Sequence, residues 1–166
     1  MRLEEFNATS HEAAILIARV WADVPGWAEA IVAARPFANV DELERAAAQG
    51  AEMWGRSELD VALADHPRIG EKHSGEGASA DASEREQASM ASASDDVAAR
   101  LAAGNRAYEE RFGRVFLIRA AGRSPQEMLA ELERRLTNDD DTEVREACQQ
   151  LAQIAQLRLR TTFQEG

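Results

Sequence analysis

The chain has 166 residues, 45% of them hydrophobic and 30% charged, which is the size and balance of one packed domain and not of a disordered chain. Thirty Asp and Glu against 19 Lys and Arg leave a net charge of -11, and such a field repels phosphate backbones and anionic membranes, so neither nucleic acid nor membrane is an expected partner. An anionic ligand would have to be captured by one or two locally placed Arg or Lys.

At the start, residues 1–24 put acids ahead of a short apolar run that Arg19 interrupts, unlike a secretory signal. No segment approaches the roughly 18 apolar residues of a membrane span. The one cysteine, Cys148, cannot close an internal disulfide, and a cytoplasmic location is the expectation. Frequent alanine, few β-branched residues and 5% aromatics favour helices over strands.

Ser10 can cap a helix with an apolar face of Ala14, Ile15, Ala18, Val20 and Trp21, ending near Pro25-Gly26. A shorter helix follows through Trp27, Ile31 and Val32 to Arg35-Pro36. Asn39 with Glu42 predicts a capped helix through Leu43 to Trp54, and Ser57 begins another that stops before His66-Pro67. Residues 66–81 are rich in Gly, Ser and charge and read as a loop. Ser83 restarts helix through Gln87 and Met90. Ser94, with Asp95 and Asp96 behind it, starts a longer helix carrying Val97, Leu101, Tyr108 and Phe112 and closed by Gly113. Val115-Phe116-Leu117-Ile118 is the only strand-like run, and since a single run cannot make a sheet it is expected as a buried extended link. Ser124-Pro125-Gln126-Glu127 starts a further helix, and Asn138 to Asp141 separates it from the last one, whose stripe carries Val144, Cys148, Leu151, Ala155 and then Arg158.

Gly-rich phosphate loops, His-Glu-x-x-His, paired Cys and Gly-x-Ser-x-Gly are all missing, and the spacing of His11, His66 and His73 matches no standard zinc site, so no metal is expected. Three polar positions stand out. His66 precedes Pro67, where a helix must stop; it can satisfy the last carbonyls of that helix, or project into a cavity for acid or base work. Ser83-x-x-Glu86 is a capping box, yet Glu86 and Gln87 also offer an acceptor and a donor-acceptor pair to a small polar heterocycle. Arg158 replaces an apolar residue on its stripe; it either turns inward toward an anion or extends its stem to solvent near the C-terminus.

Taken in order, Phe6-Asn7, Arg35-Pro36-Phe37, His66-Pro67-Arg68-Ile69-Gly70, Ser83-x-x-Glu86-Gln87-Ala88, Asn105-x-x-Tyr108, Arg111-Phe112-Gly113, Phe116-Leu117-Ile118, Glu131-x-x-x-Arg135-Leu136 with Asn138-Asp139, and Ile154-Ala155-x-Leu157-Arg158-Leu159 resemble one family over nearly the whole chain. It is the 2-oxo-4-hydroxy-4-carboxy-5-ureidoimidazoline (OHCU) decarboxylases of urate degradation. Two departures are visible: many relatives carry Asp-Leu-Ala where this chain has Arg68-Ile69-Gly70, and Phe-Pro or Phe-Val where it has Arg114-Val115. The absence of a peroxisomal C-terminal signal fits a bacterial-type cytoplasmic enzyme.

The resemblance implies an all-α, single-domain, bundle-like fold of about eight helices with one short extended link, a homodimer, and conversion of OHCU to (S)-allantoin and CO2 without metal or organic cofactor. It implies His66 and Glu86 as catalytic residues. Pro67, Ser83, Gln87, Ile118, Arg119, Ala120 and Arg158 correspond to substrate-binding positions, Ile118 to Ala120 through the backbone. The rival readings are a hydrolase or isomerase of a neighbouring ureido compound, which would need an activated water, and a helical interaction module, which leaves an inward Arg158 and Gln87 without a role.

Overall fold

The computed structural model describes residues 1–64, 66, 68, 69, 88, 90 and 93–164. Among these residues the chain forms eight helices and no strand: α1 (Leu3–Ala8), α2 (His11–Trp21), α3 (Pro25–Ala33), α4 (Val40–Ala51), α5 (Arg56–Leu63), α6 (Asp95–Phe112), α7 (Pro125–Arg135) and α8 (Asp140–Gln164). They divide into two compact units, Met1–Ala62 with Leu151–Gly166, and Leu63–Gln150. The first part of α8 therefore belongs to the second unit and its last part to the first.

The helix starts follow the capping chemistry. Ser10 accepts the Ala13 N–H at 3.3 Å, Asn39 accepts that of Glu42 at 2.9 Å, and Ser94 that of Val97 at 3.4 Å. Ser124 accepts the Glu127 N–H at 3.2 Å while the Glu127 carboxylate accepts the Ser124 N–H at 2.6 Å, a complete capping box. Gly113 ends α6 at φ 69°, in the left-handed region that glycine enters without steric cost.

Three boundaries differ from the sequence reading. Helix α1 has too few turns to show an apolar period; it buries one residue, Phe6, against Trp21 with ring centroids 5.4 Å apart. Helix α4 stops at Ala51 because the N–H groups of Met53 and Trp54 turn back to the carbonyls of Gly50 and Ala51 at 3.3 and 3.1 Å, a tightened last turn. Helix α5 starts at Arg56, where Glu58 accepts the Gly55 N–H at 3.0 Å, so Ser57 is not its cap.

In the first unit the core is built on aromatic rings and small residues. Phe6, Ala14, Ala18, Trp21, Ala28, Leu43, Leu59 and Leu159 are fully buried. Trp21 donates its indole N–H to Thr162 at 2.9 Å, and Trp27 donates to the Ala47 carbonyl at 2.9 Å. A Cβ at Gly50 would lie 2.9 Å from the Trp27 ring, so glycine lets the indole lie against α4. Two motif fragments distant in sequence meet here: Asn7 donates to the Phe37 carbonyl at 2.9 Å and accepts the Phe37 N–H at 3.0 Å, while Arg35 donates to the carbonyls of Phe6 and Thr9.

In the second unit, α6 packs on α7 around a core of Ile69, Val97, Leu101, Tyr108, Phe112, Phe116, Ile118, Ala120, Met128, Leu129 and Leu132. Phe116, Ile118 and Ala120 enter this core at every second position, the alternation of an extended chain. Among the described residues no strand lies beside the link. Two of its backbone groups are met by side chains instead: Arg135 donates to the Leu117 carbonyl at 2.6 Å, and Gln150 accepts the Arg119 N–H at 2.9 Å.

Candidate active site

His66 follows the end of α5 closely, its N–H bonded to the Leu63 carbonyl at 3.1 Å, so the turn that stops the helix also presents the imidazole. The residue is half-buried and its Nε2 is shielded from solvent. The segment behind it is docked on α6. Ile69 is buried and its carbonyl accepts Asn105 Nδ2 at 3.0 Å, a bond within the core. Arg68 pairs with Glu109 through both its Nε and its Nη2, the latter at 2.9 Å. The departure at Arg68 is thus matched by a carboxylate one helical turn beyond Asn105, so a planar fork holds the chain at this point.

Ile118 and Ala120 are buried and Arg119 half-buried, and the first two share a core with Ile69, the third residue after His66. The second unit therefore brings the His66 segment and the 118–120 link onto one cluster. Arg119 turns its guanidinium back to the Ala121 carbonyl at 3.0 Å.

Arg158 lies on the part of α8 that belongs to the first unit and is half-buried. One of its nitrogens, Nη1, donates to the Val20 carbonyl at 3.1 Å, in the last turn of α2 where carbonyls lack helical partners. Part of its fork is thus engaged by a helix end. Pro67, Ser83, Glu86 and Gln87, and the loop 70–80, lie outside the described residues.

The most buried charges among the described residues had no role legible in the sequence. Arg135 and Glu143 are 1% and 0% exposed and form an ion pair, with Arg135 Nε at 2.9 Å from Glu143 Oε1. Tyr108 donates its hydroxyl to the same carboxylate, and Asn138 Nδ2 donates to Glu143 Oε2 at 2.9 Å. Burial first, and then the bond to Glu143, push the Tyr108 phenol well above its ordinary value, so it stays a neutral donor. The signal that drew attention to Arg158 was present here too. Arg135 continues the Met128, Leu132 stripe of α7, and Glu143 precedes buried Ala147 by four residues.

A cavity of about 340 Å³ opens in the first unit between Val24, Trp27, Met53, Trp54 and Val61. Among the described residues, none of His66, Ile118, Arg119, Ala120 and Arg158 lines it. No group of three or more His, Cys, Asp or Glu placed to hold a metal occurs among the described residues.

The sequence model of the family described as OHCU decarboxylase matches residues 7–160. The chain belongs to the OHCU decarboxylase family. Among its relatives, the 2-oxo-4-hydroxy-4-carboxy-5-ureidoimidazoline decarboxylase of Haloferax volcanii is 35% identical over 84% of this chain and 82% of its own length. The protein of the same name from Amia calva is 29% identical over 99% of this chain and 95% of its own. A crystal structure of OHCU decarboxylase in the presence of (S)-allantoin superimposes with a TM-score of 0.76 at 25% identity, covering 94% of this chain and 99% of that one. The family's helical architecture is thus the one described above. No helix among the described residues is long and apolar enough to cross a membrane.

Proposed function

We propose that this member of the OHCU decarboxylase family is a carboxy-lyase that converts OHCU to (S)-allantoin and CO2, the last step from urate to allantoin. The observation that carries the reading is the 35% identity to a decarboxylase of that name across 82% of the relative's length. The docked His66 segment adds a physical reason: a half-buried imidazole at a helix end, tied through Ile69 to a buried Asn105, is the kind of fixed acid-base group a proton transfer needs.

OHCU carries a hydroxyl and a carboxylate on one ring carbon beside a C=N bond. The electron pair released with CO2 delocalises into that bond, so the step needs no separate electron sink, and we propose that the enzyme uses neither metal nor organic cofactor. His66 engages the hydroxyl and carboxylate region and assists loss of CO2. Glu86 shuttles a proton to or from the ring, and protonation from one face fixes the S configuration. Arg158 holds an anionic or carbonyl edge as a planar donor. Pro67, Ser83, Gln87 and the backbone of Ile118, Arg119 and Ala120 line the substrate. In the same proposal the chain acts as one domain in a cytoplasmic homodimer, without a nucleic-acid or membrane partner, in keeping with its net charge of -11.

The test is to generate fresh OHCU from urate and follow allantoin by circular dichroism. Because OHCU decays spontaneously to racemic allantoin, enantiomeric excess is the deciding readout. Wild type should give the S enantiomer, and His66→Asn or Glu86→Gln should lower turnover by about a hundredfold. Racemic product with wild-type enzyme refutes the reading. Near-normal (S)-allantoin from Glu86→Gln reduces Glu86 to a helix cap.

A further inference from the structure

In an extended chain the N–H and C=O of one residue point to the same edge, and those of the next residue to the opposite edge. Leu117 and Arg119 share an edge, and two of its four groups are taken by side chains: Arg135 donates to the Leu117 carbonyl at 2.6 Å and Gln150 accepts the Arg119 N–H at 2.9 Å. Ile118 belongs to the other edge. It is buried, and among the described residues no hydrogen bond reaches its N–H or its C=O. The two side chains thus do for the link what a neighbouring strand does in a sheet, and they do it on one side only.

Arg135 is itself held from several directions. Its guanidinium lies over the Phe116 ring at 4.6 Å from the centroid and pairs with Glu143, which also takes the Tyr108 hydroxyl and the Asn138 amide. Phe116 in turn packs its ring edge-on to Tyr108 with centroids 5.3 Å apart. A charge pair buried this deeply is a poor source of stability, since hydrophobic residues of similar volume commonly do as well. A placement role explains what the pair does beyond that: the one guanidinium direction not aimed at Glu143 ends on the Leu117 carbonyl.

We propose that Arg135, Glu143 and Gln150 are positioning residues of the decarboxylase site. By fixing one edge of the 117–119 link they set the orientation of the Ile118 peptide groups toward substrate on the other. The inference rests on the reading that Ile118 to Ala120 line the OHCU site.

The experiment compares the double variant Arg135→Met/Glu143→Leu, and the single variants Gln150→Leu and Gln150→Glu, with wild type in full-length enzyme. The double variant removes both charges together and so leaves no unpaired ion in the core. Gln150→Leu removes the acceptor for the Arg119 N–H, and Gln150→Glu restores one. Melting temperature, kcat, KM and enantiomeric excess of allantoin are measured on protein that is folded at the assay temperature. The expected result is a kcat/KM lower by about ten- to a hundredfold in the double variant and about tenfold in Gln150→Leu, with reduced S excess, and recovery in Gln150→Glu. A purely structural pair would move the melting temperature and leave these kinetics alone.

Kinetics within twofold of wild type in Gln150→Leu, or in the folded double variant, overturn the proposal. If the double variant does not fold, the Gln150 pair decides. Should wild type give only racemic allantoin, the OHCU reading fails by itself. Placement is then judged without substrate: amide exchange at Ile118 should quicken about tenfold in Gln150→Leu and not in Gln150→Glu, and unchanged exchange overturns it.

Discussion

Trp21 and Arg135 are large side chains with 0% and 1% exposure, one at the centre of each unit, yet they are held by different physics. Trp21 sits among rings, Phe6 at 5.4 Å and Phe163 at 6.0 Å, and spends its single polar atom on Thr162. Arg135 is surrounded by Glu143, a backbone carbonyl and an aromatic face. The first unit closes helix against helix, where every backbone group away from the ends is already bonded. The second must also bury a link whose peptide groups have no helix or sheet to satisfy them. Among the described residues, the most deeply buried ion pair lies against irregular backbone.

The largest loss is expected from Glu143→Leu. It strands the Arg135 guanidinium in the core and should cost about 3–5 kcal/mol by urea denaturation; a loss below 1 kcal/mol would mean that Arg135 finds water or another partner. Trp21→Phe keeps a ring but removes the bond to Thr162 and some volume, and should cost about 1–2 kcal/mol. A larger loss there than at Glu143 would reverse the contrast. Smaller still, Ser124→Ala should cost about 1 kcal/mol through the cap of α7; no change would show that packing alone starts that helix.

The least effect is expected from the exposed ion network of the second unit, which sharpens the contrast with the buried one. Arg134 bonds Glu131 at 2.8 Å and Glu146 at 3.1 Å and holds both carboxyls below the ordinary 4.5. Since the folded values are depressed, the stabilisation is complete above the unfolded value and fades as pH falls through the folded ones. The melting temperature of Arg134→Gln should therefore lie slightly below wild type at neutral pH and converge on it under about pH 4.5. A gap that persists in acid would assign the effect to lost packing of the arginine stem.

Local chemistry made much of the helical plan legible. Ser10, Asn39, Ser94 and Ser124 cap where their hydroxyls and carboxamide predicted, Gly113 stops α6, and the isolated apolar run at 115–118 is a link buried from Phe116 to Ile118, because caps and periodicity are settled within a few residues. Helix α1 was not legible, since what holds it is Phe6 against Trp21 and Arg35 on the carbonyls of Phe6 and Thr9. The family, too, was legible, through many short motifs in one order. The partners of several of those motif residues come from packing between distant elements. That packing ties Asn7 to Phe37, Asn105 to the carbonyl behind His66, and Arg135 to Leu117. Spacing along a helix tells which face a residue lies on, but the partner on the facing element is chosen by packing, and a buried donor or acceptor takes whatever group that packing brings within about 3 Å.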